Sequence, residues 1–387
     1  MVARYDAAVV GGGPAGLTAV CLLAAAGVRT ALVSGDNSAA DPRTVALMQP
    51  ALERLAHIGV WPGLIAAHCA ALKTLRIVDD TGALIAAPEV AFQAAELGLD
   101  AFGWNVPLAV LVPALQVRAA ELGVDIFPQA CLGFGTAGEA VRLDLSETTL
   151  EAQVVIAADG RDSQLRERAG IAIKAWDYDQ SAIATSFSHS RPHRNISTEY
   201  HRPGGPFTTV PLPGQRSSLV WMDRPARAAA LMALDDAAFA AEIQACCHGE
   251  LGLVTEPGPR RLFAMRGLLA EQFTGPRLIL IGETAHAQPP IGAQGLNMSI
   301  ADAGEAARLI GAAIREGRDP GGEDMLAAYA SARKPDIGLR QAIVDSMNRS
   351  LLAGLLPLDA ARALSLAGLK AFAPLRRLAM RRGLGPA

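Results

Sequence analysis

The hexapeptide Gly11-Gly12-Gly13-Pro14-Ala15-Gly16 lies between the apolar run Ala7 to Val10 and a helical stretch through Cys21, Leu22, Leu23 and Ala26 that stops at Gly27. A second apolar run, Thr30 to Val33, follows at once. This order reads as strand, tight turn, helix and parallel strand with a right-handed crossover. Gly11 makes the turn, Gly13 lets the backbone approach a pyrophosphate, and Gly16 lets helix and strand pack closely. The helix opening at Pro14 and Ala15 offers unpaired N–H groups to phosphate oxygens. An acidic residue for a ribose is expected about 20 residues on. There the second strand runs out at Ser34-Gly35-Asp36, where Asp36 either reaches the ribose or is a solvated loop charge.

Further along, helical periodicity covers Ala51 to Ile58 and Leu111 to Leu122. A buried strand, Val154 to Ala157, runs into Asp159-Gly160, and another, Leu278 to Ile281, runs through a Pro and Gly loop into a helix near Leu296 to Ile310. Between them, Ala182 to Met222 alternates and is broken by turns, which predicts antiparallel strands forming one side of a cavity. Ala228 to Ala241 is helix-favouring, and the chain from about Ala327 is predicted helical.

Several function classes fall away on composition. A formal charge of −3 provides no basic footprint for general nucleic-acid binding. Five cysteines with no C-x-x-C spacing read as reduced thiols of a cytosolic protein, without a zinc site. His189 and His193 stand four apart, but Pro192 between them argues against a helix that would align their rings, so no metal is expected. Neither a secretory signal nor an uninterrupted membrane-spanning run is evident.

Three segments recur in a recognisable order: the glycine turn; Asp159-Gly160-Arg161-Asp162-Ser163; and Gly282-Glu283-Thr284-Ala285-His286 leading to Pro289-Pro290-Ile291-Gly292-Ala293-Gln294-Gly295-Leu296-Asn297. Together they resemble the para-hydroxybenzoate hydroxylase superfamily of FAD monooxygenases. Phe102 to Pro107, Gly205-Pro206-Phe207, Leu212-Pro213-Gly214 and Ser217 to Trp221 resemble its ubiquinone-biosynthesis hydroxylase branch. The resemblance implies FAD as cofactor, with Asp159 and Gly160 ordering a loop near the phosphates. Glu283, where the family more often has Asp, would hold a ribityl or ribose hydroxyl. Gly292, Gly295 and the backbone at Leu296 and Asn297 would stabilise negative charge on the pyrimidine edge of reduced flavin. Arg43 matches an arginine beside the isoalloxazine, with a surface arginine as the plain alternative. The Pro290 carbonyl would face the substrate. His286 reads as structural rather than as a base, and Leu108-Ala109 departs from a polar cofactor contact.

The fold implied is α/β: a discontinuous Rossmann-like FAD domain (residues 1–76, 100–177 and 265–330), a sheet-rich substrate domain (77–99 and 178–264), and a C-terminal helical extension (331–387). The activity implied is hydroxylation of an electron-rich aromatic ring, a polyprenylphenol of ubiquinone biosynthesis, through a flavin hydroperoxide, with NAD(P)H as transient donor and molecular oxygen as co-substrate. A soluble small-phenol hydroxylase, a flavoenzyme acting on isoprenoids without oxygen insertion, and a non-catalytic flavin-binding subunit are the competing readings. From residue 360 onward all charges are cationic and interleave with Leu364, Leu366, Leu369, Phe372, Leu375 and Leu378. That pattern predicts a basic amphipathic helix for an anionic membrane surface or a biosynthetic partner, or a helix packed on its own domain. The expected location is cytoplasmic, at the inner face of the membrane.

Overall fold

The computed structural model describes residues 2–35, 41–353 and 356–385. Its helices are α1 (Pro14–Ala25), α2 (Gln49–His57), α3 (Leu108–Glu121), α4 (Gln164–Arg168), α5 (Pro225–Met232), α6 (Asp236–Cys246), α7 (Gln294–Arg315), α8 (Glu323–Ala353), α9 (Leu356–Ala371) and α10 (Ala373–Leu384).

One sheet carries the glycine turn. Leu278–Leu280, Thr149–Ala157, Ala3–Val10, Thr30–Val33 and Asp125–Phe127 lie side by side in that order and all run parallel. Such strands are buried on both faces and read as continuous apolar runs, as Val154-Val155-Ile156-Ala157 does. Helix α1 has no polar face, because the sheet covers one side and α3 and α7 the other; Leu17, Val20, Cys21 and Leu23 are all solvent-free. Parallel register places the C-terminal ends of three strands, at Val10, Ala157 and Leu280, on one edge. The loops that follow them therefore meet there, where open α/β sheets bind ligands.

A second sheet of nine strands is mostly antiparallel, as the alternation predicts. Its order is His286–Ala287, Arg261–Ala270, Ile173–His189, Arg216–Asp223, Gly205–Leu212, Ile196–Arg202, Thr74–Asp79 and Val90–Gln93, with Val254–Thr255 paired to Ile173–His189. Its outer face packs Phe187, Tyr200, Phe207 and Trp221 under Phe239 and Ile243 of α6. Its inner face packs Ala182, Met222 and Met265 against Ile291 and Val344 of α8. A three-stranded sheet, Thr44–Met48, Gly103–Pro107 and Ala70–Leu72, bridges the two.

Four expectations shift in detail. Thr74–Asp79 and Ile173–His189 cross the expected boundaries at 76/77 and 177/178, because both strands pair within the large sheet on either side of those positions, the second with a register shift between Asp177 and Ser181. The segment from Ala228 to Ala241 is two helices, since the Asp235 side chain accepts the Ala238 N–H and starts α6 anew. The basic tail is a pair of helices, broken between Ala371 and Ala373, where Pro374 follows and opens the first turn of α10. His189 and His193 do bring their rings within 5.7 Å, by a turn at a strand end rather than by a helix. Their ring nitrogens are engaged by Arg191 O, Ser217 Oγ, Leu212 O and the Asn195 N–H.

Candidate functional site

The glycine turn is fixed by contacts that only glycine permits. A Cβ on Gly11, whose φ is +123°, would lie 2.2 Å from the Ala158 carbonyl oxygen, and one on Gly16 would lie 2.0 Å from that of Gly11. A Cβ on Gly13 would meet nothing within 4 Å. Gly11 and Gly16 are thus needed for packing, whereas Gly13 faces open space at the entrance to α1. Pro14 has no N–H and the Leu17 N–H already bonds Gly13 O, so helix geometry leaves the amides of Ala15 and Gly16 pointing into that space. No acidic side chain stands in the first turn of α1 to compete for them. This cradle fits a pyrophosphate.

The loops after Ala157 and Leu280 are knitted into one unit beside the cradle. Thr284 Oγ1 donates to Asp159 Oδ1 at 3.3 Å and accepts the Gly160 N–H at 3.1 Å. Asp159 Oδ2 accepts the Leu165 N–H at 3.4 Å. Buried Arg166 then donates to Thr284 O at 2.9 Å and to Arg161 O at 2.8 Å. Glu283 is half exposed and takes a two-pronged contact from Arg161, at 3.1 and 3.2 Å. Arg43 stacks its guanidinium 5.0 Å from the Phe263 ring centre and donates twice to Asp41. The Asp41 carboxylate, with a smaller contribution from Glu283, keeps Arg43 even more firmly charged than usual. Burial would raise the Asp41 carboxyl, but the Arg43 contacts outweigh it and hold it below the ordinary range. At Leu108, where a polar contact is lacking, the backbone N–H bonds Arg43 O at 3.0 Å.

The entrance to α7 forms the third arm. Gly292 and Ala293 both have left-handed backbones, with φ of +63° and +56°, and no side chain caps the helix. A Cβ on Gly295 would meet nothing within 4 Å, so the first amides of α7 face an open space as those of α1 do. Asn297 holds this entrance in place through its side chain. Its Oδ1 accepts the Met48 N–H at 2.8 Å, and its Nδ2 donates to Ala46 O at 2.8 Å and Ala293 O at 2.6 Å. Pro290 is exposed in the loop just before. Asp36 lies outside the described residues.

Under these loops is a buried ionic cluster that sequence reasoning missed. Asp302 of α7 is fully buried; its Oδ2 bonds His286 Nε2 at 2.7 Å and accepts the Gly282 N–H at 3.0 Å, and its Oδ1 accepts Arg333 Nε at 2.7 Å. Burial alone would raise this carboxyl, yet His286, Arg333 and the Gly282 amide together hold it below the ordinary range. His286 is therefore a strut beneath the loop. The only signal in the sequence is a charged residue within the otherwise uncharged stretch Met298 to Gly304.

The inner face of the large sheet meets these loops. Thr44 Oγ1 donates to Ser218 Oγ at 2.8 Å, and buried Asn105 donates to Pro211 O at 2.8 Å and Ser218 Oγ at 3.0 Å. Val220, Phe263 and Met347 on this side are only partly buried. Farther along, buried His201 bonds Glu199 at 2.8 Å. Among the described residues no group of histidines, cysteines and carboxylates is placed to hold a metal ion.

Comparison with known proteins agrees with this geometry. The model of the FAD binding domain family matches residues 4–342. A ubiquinone hydroxylase of Rhodospirillum rubrum, UbiL, is 34% identical over 98% of this chain and 89% of that protein. The 3-demethoxyubiquinol 3-hydroxylase of Escherichia coli is 29% identical, covering 98% of each. Among solved structures, p-nitrophenol 4-monooxygenase PnpA from Pseudomonas putida superimposes with a TM-score of 0.80 over 100% of both chains, at 19% identity. The chain accordingly belongs to the para-hydroxybenzoate hydroxylase superfamily of FAD-dependent monooxygenases, in the branch that contains the ubiquinone-biosynthesis hydroxylases.

Proposed function

We propose that this monooxygenase hydroxylates a phenolic ring bearing an isoprenoid tail, an intermediate of ubiquinone synthesis, with NAD(P)H as donor and molecular oxygen as co-substrate. The observation that carries the reading is the convergence of three loops on one sheet edge, in a chain whose relatives are named as ubiquinone hydroxylases. When bound and reduced, FAD would supply oxygen activation and transfer of one oxygen atom to the ring.

The chain's own residues bind, orient and exclude water. The amides of Ala15 and Gly16 receive the pyrophosphate beside Gly13. Asp159 and Gly160, locked by Thr284, shape the loop alongside it, and Glu283 with Arg161 faces the sugar-like chain. The amides of Gly295 and Leu296 at the α7 entrance stabilise negative charge on the pyrimidine edge of reduced flavin. Arg43, over Phe263, borders the ring system, and the Pro290 carbonyl faces the substrate. The inner sheet face, with Val220, Phe263 and Met347, provides an apolar wall that keeps water from the reacting centre. A prenylated ring resides in a bilayer, so the enzyme works peripherally at the inner membrane face; no described helix is long and apolar enough to cross a membrane.

Turnover with product mass analysis tests the reading. The reduced protein, given a prenylated phenol and then ¹⁸O₂, should yield a product carrying one ¹⁸O atom. Hydrogen peroxide as the sole product counts against hydroxylation, and equal turnover of a phenol without the tail favours a small-phenol enzyme. Bound FAD with no substrate-dependent oxygen uptake favours an accessory subunit.

A further inference from the structure

Helices α9 and α10 join at a bend and pack along the Val90–Gln93 edge of the large sheet and the turn that follows it, with an inner side that is engaged by the protein. Ala363 and Leu366 of α9 pack with Ala87 and Val90, and Met380 of α10 packs with Met48 and Phe102. Arg376 grips Glu96 at 2.7 Å, and Arg362 reaches Asp79 at 3.4 Å.

The outer side is apolar as well, which a helix with one partner does not require. Leu375 and Leu378 recur at helical spacing on the side of α10 opposite Met380, with Arg382 one turn further. They are 44% and 54% exposed, Phe372 at the bend is 60% exposed, and Leu364 of α9 is 73% exposed. A Cβ on Gly368 would lie 3.9 Å from Leu375 Cδ2, so Leu375 leans over the bare stretch of α9 and the two helices present one surface. Next to it, the loop whose Thr81 is held by Arg362 exposes Leu84 and Ile85.

Charge identifies what covers this surface. Beyond residue 360 the chain has six cations and no acid, and two of the cations, Arg362 and Arg376, are paired inward. Arg381 and Arg382 are exposed and make no ion pair among the described residues, whereas Lys370 lines the inner side of α9 with Glu89 and Glu96. Exposed leucines and a phenylalanine flanked by unpaired cations match a bilayer with anionic headgroups: the apolar side chains enter the acyl boundary and the cations meet the phosphates. A second copy of this chain fits poorly, since a two-fold contact would set these cations against their own images.

We propose that the outer face of the bent α9–α10 pair is the enzyme's docking surface for an anionic lipid bilayer. The proposal goes beyond the hydroxylase reading by naming a surface and a lipid charge, and it stands whatever ring the enzyme oxidises.

Flotation of the full-length FAD-bound protein with phosphatidylglycerol–phosphatidylcholine vesicles tests it. The wild type should float with the anionic vesicles, remain behind with pure phosphatidylcholine, and detach at high salt. Arg381→Gln/Arg382→Gln should weaken binding roughly 30-fold, the combined effect of two near-surface cations. Leu375→Gln/Leu378→Gln should also abolish flotation, although it leaves every cation in place. Both variants should keep wild-type FAD content and melting temperature, because the changed side chains make no described core contact. Wild-type protein that fails to float, equal flotation on neutral vesicles, or either variant binding like wild type overturns the proposal. So does light scattering that finds a dimer which the leucine variant converts to monomer, since the face then belongs to a second copy.

Discussion

Gly13→Ala should separate folding from cofactor binding, because the three turn glycines are glycine for different reasons. At Gly13, φ is −75° and a Cβ would meet nothing within 4 Å, so alanine fits the apoprotein. Reduced chain entropy in the unfolded state favours the variant by about 0.4–1 kcal/mol. The poorer N-cap costs about as much. These nearly cancel, and the apoprotein should melt within roughly 3 °C of wild type. With FAD present, the new methyl occupies the space in front of the Ala15 and Gly16 amides, and an overpacked contact costs about 1–3 kcal/mol. The FAD dissociation constant should rise about 5- to 150-fold. Gly16→Ala is the contrast: its Cβ would sit 2.0 Å from Gly11 O, so helix and strand must part and the apoprotein itself should lose stability. Fluorescence titration of deflavinated protein with FAD and differential scanning of the same samples measure both quantities. Wild-type FAD affinity in the Gly13 variant would remove the pyrophosphate from this cradle, and an apoprotein as unstable as the Gly16 variant would refute the contact geometry.

Asp302→Asn should cost about 3 kcal/mol in denaturant unfolding, because the buried charge of Arg333 is left with Asp336 as its one carboxylate partner among the described residues; near-wild-type unfolding would show the cluster contributes no stability. The Asp302 carboxyl is held below its unfolded value, so its contribution is complete at neutral pH and is lost as acid takes pH down through the folded value. Acid unfolding of wild type should therefore begin at higher pH than that of Asp302→Leu/Arg333→Leu, measured by circular dichroism. Asn297→Ala strands the Met48 N–H and two carbonyls at the α7 entrance, and should cost about 2–3 kcal/mol while speeding flavin release on heating; unchanged release would detach this staple from the cofactor site. Thr284→Val removes the hydroxyl joining Asp159 to Gly160 and should lower stability by about 1 kcal/mol with a several-fold loss of FAD affinity; calorimetric titration reads the second effect.

Elements governed by local contacts were legible. The βαβ unit could be read because its turn admits no side chain at Gly11 or Gly16, so backbone geometry is written directly into composition. The buried strands could be read because a parallel sheet covered on both faces needs unbroken apolar runs. The Asp302–Arg333–His286 cluster could not, since its members come from a short edge strand and two long helices that meet only through tertiary packing, α7 on α8 among it. Asn297 is similar. The resemblance drew attention to its backbone, while its side chain binds two groups about 250 residues away, a pairing invisible to any local rule. His189 and His193 show a period misapplied: four-residue spacing matters in a helix, but a strand end can turn two rings together without one.

The C-terminal segment shows why a correct pattern can still give the wrong element. Cations interleaved with leucines indicate a surface helix, but the pattern alone does not say which leucines face inward. Pro374, without an N–H to continue the helix, breaks the segment into two but leaves the helical phase in place. Leu366 and Met380, fourteen residues or nearly four whole turns apart, face the protein while Leu364, Leu375 and Leu378 face away, as they would along one unbroken helix. The break therefore bends the outer face without choosing which side chains lie on it. Restoring helical continuity with Pro374→Ala should therefore leave binding to anionic vesicles undiminished, since the same leucines stay on the outer side. Lost flotation of that variant would mean that the bend at Phe372, rather than the helical phase, sets the docking face.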